Sequence, residues 1–348
     1  MLCGSYISQM ERLLRGPLRG RLASLLVDPV PFADAQAFVG QGVPAVERIE
    51  RYAVSGGMSL YLDELSRGGS LRSRICSRVL DPRGPLFNDP REVLDEQLRT
   101  PGVYYSLLES LSTGTRSIGE LGQALRRKTP DLQGYLQTLR EMRIVDRTAP
   151  ITALDDERSN RYRLADDFMR FWFRFVFPFQ EELKTGLAAA TLFDTEIAPA
   201  FAEHVSPAFE TLCRQWVLAT GHATRVGVWW GNAINELRRE GVRTREEIDV
   251  VGLTRGRISV VGEAKWTSRP MGIDVLDHLE RFKLPALGQT RAQIARDRRL
   301  VLFAKAGFSP ALTRAANGRD DVWLVSAEAV VSTLLSAGGA GLAVGGPS

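Results

Sequence analysis

Two short acidic segments hold most of the chemistry legible in this chain, Glu247-Ile248-Asp249 and Gly262-Glu263-Ala264-Lys265-Trp266. Side chains alternate across a strand, so Glu263 and Lys265 are expected on one face, and Glu247 and Asp249 likewise. The apolar residues around them, Ile248, Val250, Val251, Ile258, Val260 and Val261, fit two strands of a buried sheet. Thr254-Arg255-Gly256-Arg257 supplies a hairpin turn between the strands. Folding there brings Asp249 opposite Glu263, give or take one residue. Two carboxylates and an ammonium then converge on one point, beside which a phosphodiester and a hard divalent cation would fit. Mg²⁺ takes oxygen ligands, uses one or two carboxylates and leaves its other positions to water or phosphate. It lowers the pKa of a bound water and polarises a phosphoryl oxygen. A lysine within reach orients that water or meets charge on the scissile phosphate. Asp249 and Glu263 are therefore the expected ligands of Mg²⁺ or Mn²⁺, with Lys265 beside them. Two other readings stay open: a buried structural Lys–Glu pair and a surface hairpin with ordinary solvated charges.

The surrounding pattern supplies the elements that must hold these groups. Pro207-Ala208-Phe209-Glu210 reads as the opening of a helix that runs through Cys213 and Trp216, and Val226-Gly227-Val228-Trp229-Trp230-Gly231 follows it. Downstream, residues 275–282 read as a helix, 300–303 and 321–325 as strands, and 327–335 as a closing helix. Strands mixed with helices predict a central sheet flanked by helices. The Gly- and Ala-rich tail from Gly338 is expected to be disordered.

The first half reads differently. Residues 45–55 and 60–65 have helical apolar spacing, broken by Gly56-Gly57, by 67–70 and by the loop 81–85. From Pro101 the pattern is that of a winged helix: a helix over 102–112, a second opened by the Ser117/Glu120 capping box, and a third from Thr129-Pro130-Asp131. Residues 144–147 and 161–164 can pair as the wing. Arg126, Arg127 and Lys128 precede the third helix, and Arg140 and Arg143 follow it, where contacts to DNA phosphates are expected. A spacer or protein-docking role fits the same residues. The aromatic run from Arg170 to Phe179 is expected to pack as a core helix, with base stacking as the alternative.

Composition is that of an ordinary globular chain: 348 residues, 44% hydrophobic and 25% charged, with a net charge of +4. The sequence pI near 9.1 permits nucleic-acid contact without requiring it. Cys3, Cys76 and Cys213 are odd in number and far apart, which predicts reduced thiols in a cytoplasmic protein rather than a disulfide framework or zinc cluster. His204, His222 and His278 show no paired metal spacing and read as structural or exposed. No apolar run reaches the length of a membrane span, so no membrane partner is expected.

The acid, spacer and acid-x-Lys order resembles the PD-(D/E)XK nuclease superfamily. The helix carrying Glu210 and the Trp229-Trp230 segment after it then make the whole resemble the nuclease-like domain at the C-terminus of archaeal-type ATPases, an AAA+/STAND-like family also present in bacteria. The resemblance covers most of the chain. Met1-Leu2-Cys3-Gly4-Ser5 looks like the end of a sensor-1 strand, and residues 17–21 and 26–32 match the segments that come after that strand in the family. Residues 55–62 look like the lid carrying sensor 2, and Phe87-Asn88-Asp89-Pro90 and 160–164 continue the pattern. By this resemblance Glu210 is a helix-borne acid completing the site, against its plain reading as a helix-surface glutamate. The implied architecture is multidomain α/β: an ATPase-core remnant over 1–35, a helical lid over 36–98, a winged helix-turn-helix over 99–165, a restriction-endonuclease-like mixed sheet flanked by helices over 166–337, and a tail over 338–348. No Gly-x-x-x-x-Gly-Lys-Ser/Thr segment occurs, so this polypeptide alone is expected to have no ATP site and no ATPase activity. A natural truncation and a start codon placed too far downstream both account for that. The implied activity is a Mg²⁺-dependent DNA endonuclease, a phosphodiesterase, with DNA and a separate ATPase or partner protein as partners. The alternative is a non-catalytic DNA- or protein-binding module on a degenerate nuclease scaffold.

Overall fold

A computed structural model describes residues 27–98, 101–153, 160–234 and 244–338. The segments 1–5 and 17–21, read as an ATPase-core remnant, and the tail beyond Gly338 lie outside the described residues. The described residues divide into a helical unit, within Val54–Thr148 and Asn160–Pro199, and a sheet unit, made of Phe32–Ala53, residues 149–153 and the described residues of 200–338. These divisions differ from the sequence-based boundaries at three places: the helix Ala45–Ser55 leaves the lid, the stretch from Ala149 leaves the winged helix, with Ile151 N donating to the Val228 carbonyl at 2.9 Å, and residues 166–199 stay with the helical unit. Helix α1 (Ala45–Ser55) forms as its spacing predicts, but its stripe of Ala45, Val46, Ile49, Tyr52 and Ala53 packs into a core with strand residues Val250, Val301 and Phe303. It therefore joins the sheet unit rather than a lid.

In the helical unit, α2 (Ser59–Ser66) buries Tyr61, Leu62 and Leu65, and α3 (Asp89–Gln97) starts at the Asn88-Asp89-Pro90 segment. Helices α4 (Pro101–Ser112), α5 (Ile118–Ala124) and α6 (Thr129–Glu141) pack with a small antiparallel sheet of β1 (Arg116–Ser117), β2 (Val145–Thr148) and β3 (Arg161–Leu164), in the order β1-β3-β2. The capping box is present: Ser117 Oγ accepts from Glu120 N at 3.2 Å, and Glu120 Oε2 accepts from Ser117 N at 2.6 Å. Helix α7 (Asp167–Phe175) is the aromatic run. Phe168, Phe171, Trp172, Phe173 and Phe175 are buried, and Trp172 Nε1 donates to the Phe87 carbonyl at 2.8 Å. Core packing is thus what these aromatics do, and that packing ties α7 to the helical unit instead of opening the sheet unit at 166.

The sheet unit is built on α8 (Ala198–Ala219) and five strands: β4 (Arg225–Asn232), β5 (Arg245–Thr254), β6 (Arg257–Lys265), β7 (Ile294–Ala304) and β8 (Val322–Ser326). Their order is β4-β5-β6-β7-β8, with β4, β5 and β6 antiparallel and β6, β7 and β8 parallel. The hairpin turn is Arg255-Gly256, with φ of 51° and 77°, the left-handed pair that suits the twist of a two-residue hairpin. Between β6 and β7 run α9 (Ile273–His278), a π-helical turn (Leu279–Lys283) and α10 (Leu284–Gly288). Then α11 (Pro310–Ala316) leads to β8, and α12 (Ala327–Gly338) closes the unit. One sheet face packs on α1, α8 and α12, and the other on α9, α10 and α11. The result is a mixed sheet with helices on both faces.

Helix α8 does not open at Pro207. It begins at Ala198 and carries Pro207 inside it. The ring sits on the exposed side, where the lost backbone donor is tolerated. Among the described residues Cys76 and Cys213 are free thiols, and no helix is long and apolar enough to cross a membrane.

Candidate active site

The hairpin register decides which carboxylates meet. Near the turn, Thr254 pairs with Arg257 and Leu253 with Ile258; beyond it, Gly252 pairs with Val260 and Val250 with Gly262. Ser259 is therefore an extra residue in β6, a β-bulge. Its Oγ donates to the His222 carbonyl at 3.1 Å. With the bulge the paired residues end at Val250 and Gly262, the neighbours of Asp249 and Glu263. Asp249 Oδ2 accepts from Ala264 N at 3.0 Å, which locks the two strands at this point.

The simple alternation expected over Glu247-Ile248-Asp249 is broken. Ile248 and Val251 lie in one core and Val250 in the other, and the β4–β5 ladder slips between Gly227 and Trp229. A regular strand would put Ile248 and Val250 on one face. The slip frees the Asp249 carbonyl, which accepts from Arg214 Nη1 at 2.8 Å; Arg214 lies one turn beyond Glu210 on α8.

Glu263 is buried, with 2% of its side chain exposed, and both of its oxygens meet ammonium groups. Lys265 Nζ is 3.3 Å from Glu263 Oε2 and 3.8 Å from Asp249 Oδ2. Lys283, on the π-helical turn, reaches Glu263 Oε1 at 2.6 Å. Burial pushes the Glu263 carboxyl up to about 7, Asp249 adds to the rise, and Lys283 and Lys265 oppose it. Glu210 also rises to about 7, through burial first and then repulsion from Asp249. Its plain reading as a surface glutamate does not hold, since it sits close enough to Asp249, Glu247 and Lys265 to feel their charge. Burial works against the Lys265 ammonium, but Asp249 and Glu263 outweigh it and its pKa is raised.

The structure thus brings Glu210, Asp249, Glu263 and Lys265 together. Among the described residues no three His, Cys, Asp or Glu side chains form a preassembled metal cage. The donor chemistry of Asp249 and Glu263 nevertheless fits a hard cation that uses one or two carboxylates. A cation bound there would favour the ionised form of Glu263, which burial and Asp249 oppose.

Sequence reasoning missed two groups, Lys283 and Glu246. Lys283 lies one residue past the helix read over 275–282; its place in the last turn after the acid-x-Lys strand was the available signal. His278 on α9 faces Glu246, whose buried carboxylate lies 3.2 Å from His278 Nε2 through either oxygen. His204 is structural, its Nε2 lying 3.0 Å from the Ala53 carbonyl. In the helical unit Arg126, Arg127 and Lys128 are exposed, as phosphate contact requires. Arg140 Nη1 donates to Gln137 at 3.3 Å, and Arg143 pairs with Asp28 at 3.1 Å.

Residues 172–275, which include Glu210, Asp249, Glu263 and Lys265 but not Lys283, match a family described as archaeal and bacterial proteins of unknown function. The chain is also similar to an uncharacterized protein of Methanocaldococcus jannaschii, 24% identical over 279 residues that make up 76% of this chain and 59% of the relative. The chain thus spans about three-fifths of the length of that relative. No solved structure matches.

Proposed function

We propose that the sheet unit is a Mg²⁺- or Mn²⁺-dependent phosphodiesterase acting on DNA, a nuclease-like module of the kind carried by archaeal-type ATPases. The observation that carries this reading is the convergence of Asp249, Glu263 and Lys265, with Lys265 Nζ 3.8 and 3.3 Å from the two carboxylates. Asp249 and Glu263 would hold the cation, which when bound supplies Lewis acidity and a more acidic water. Lys265, 42% exposed, reaches from the carboxylates towards solvent, where a phosphodiester would arrive and its ammonium would meet developing charge. Ala264 N holds the Asp249 carboxylate in place, and Arg214 fixes the backbone beneath it. Glu210 adds a third acid at the Asp249 side. Arg126, Arg127 and Lys128, with Arg140 and Arg143, would contact DNA phosphates through the winged-helix-like part of the helical unit.

One observation favours the second reading, a non-catalytic module on the same scaffold: both oxygens of Glu263 already have ammonium partners. Calorimetric Mn²⁺ titration of the chain beside Asp249→Ala and Glu263→Ala separates the two. Binding in the parent that both substitutions abolish, together with Mg²⁺-dependent cleavage of duplex or single-stranded DNA, supports the nuclease. If all three proteins give the same titration with folds intact, the binding module is the better description.

A further inference from the structure

The two lysines on Glu263 differ in a way that suggests different work. Lys265 is 42% exposed and its ammonium spans Glu263 and Asp249. Lys283 is 12% exposed and its ammonium lies on the other oxygen, Oε1, at 2.6 Å. The backbone that delivers Lys283 is irregular. Leu279–Lys283 is a π-helical turn closed by the Leu284 N–H on the Leu279 carbonyl, followed at once by Pro285. Such turns insert a residue and often mark functional positions. Here Leu279, Leu284 and Leu287 are buried in the core on either side, so Lys283 is held over Glu263 by packing. Charge assistance and desolvation make a contact of this length a strong one.

Building on the metal-site reading above, we propose that Lys283 is a resident counter-cation that competes with the divalent ion for Glu263. Any cation that draws on Oε1 must displace or repel this ammonium. Lys283 therefore keeps the buried Glu263 neutralised while the site is empty, and it sets how much free cation is needed to load it. It is a positioning residue, acting through Glu263, whereas Lys265 is the lysine placed to reach a substrate. The linkage is reciprocal: whatever the ammonium contributes to the empty state is subtracted from cation affinity.

The test is Mn²⁺ affinity measured by calorimetry on the full chain, which requires no substrate. Lys283→Met removes the charge at similar length, and Lys283→Gln keeps a hydrogen-bond donor should the first variant fold poorly. A lost charge-assisted contact predicts Mn²⁺ binding tightened about tenfold or more in both, while Lys283→Arg stays near the parent. Tightening that disappears on adding Asp249→Ala would tie the gain to this site. Binding that is lost in Asp249→Ala but unchanged or weaker in folded Lys283→Met and Lys283→Gln overturns the competition and leaves the metal site standing. No binding in the parent or in either Lys283 variant overturns both.

Discussion

Replacing Glu263 with Gln should change how stability responds to pH more than it changes stability itself. Glu263 is 2% exposed, and its carboxyl rises from 4.5 to about 7 because burial and Asp249 outweigh the two lysines. A raised carboxyl pKa means that the folded protein holds a proton the unfolded chain has released. The contribution is complete below about 4.5 and is lost as pH climbs through about 7. At about 1.4 kcal/mol per pH unit over that interval, the loss is on the order of 3 kcal/mol. Gln cannot ionise and should not show it. Leaving Lys283 beside a neutral amide adds a cost, but that cost is nearly constant with pH and cancels in the comparison. Urea denaturation of parent and Glu263→Gln at intervals from pH 5 to 8 reads the effect directly. The parent should lose roughly 2–3 kcal/mol relative to the variant across that range. Parallel stability curves would refute the reasoning, because they would mean Glu263 is ionised throughout. Millimolar Mn²⁺ should flatten the parent curve and leave the variant unchanged.

Three further outcomes are expected. On the phosphodiesterase reading, Lys265→Ala should lower Mg²⁺-dependent DNA cleavage by about 10²–10³-fold without abolishing Mn²⁺ binding, read by single-turnover kinetics and calorimetry. Gly262→Ala would set a methyl group 2.6 Å from the Val301 carbonyl on the neighbouring strand, so β6 must shift beside Glu263. It should cost about 1–3 kcal/mol in urea denaturation and weaken Mn²⁺ binding as well. Trp172→Phe removes the indole donor from the Phe87 carbonyl and should cost the protein about 2 kcal/mol of stability, with no effect on Mn²⁺ binding.

Local signals in this chain are strong wherever an element is decided by its own residues. The Ser117/Glu120 box opens α5, the stripe from Ala45 to Ala53 makes α1, and Arg255-Gly256 makes the hairpin turn, because capping, apolar spacing and left-handed φ are short-range properties. What each helix packs against is not short-range. Helix α1 went to the sheet and α7 to the helical unit because Ile49 is buried in one core with Val301 and Phe303, while Trp172 donates to the Phe87 carbonyl. Proline at 207 looks like a helix start, yet an exposed position let the helix run through it.

The candidate site divides along the same line. Sequence alone determined the acid and acid-x-Lys residues, the two strands that carry them and the turn that folds one onto the other. It left the register uncertain by one residue, and that residue decides which part of β6 comes level with Asp249. Only the tertiary structure resolved it, because the extra residue Ser259 is held by the carbonyl of His222, a contact from a distant part of the chain. Lys283 reached Glu263 in the same way, through a crossover that returns a helix over the sheet before the next parallel strand can pair. Residue types and spacing specify which chemistry is available; long-range packing specifies which atoms come within 3 or 4 Å of one another.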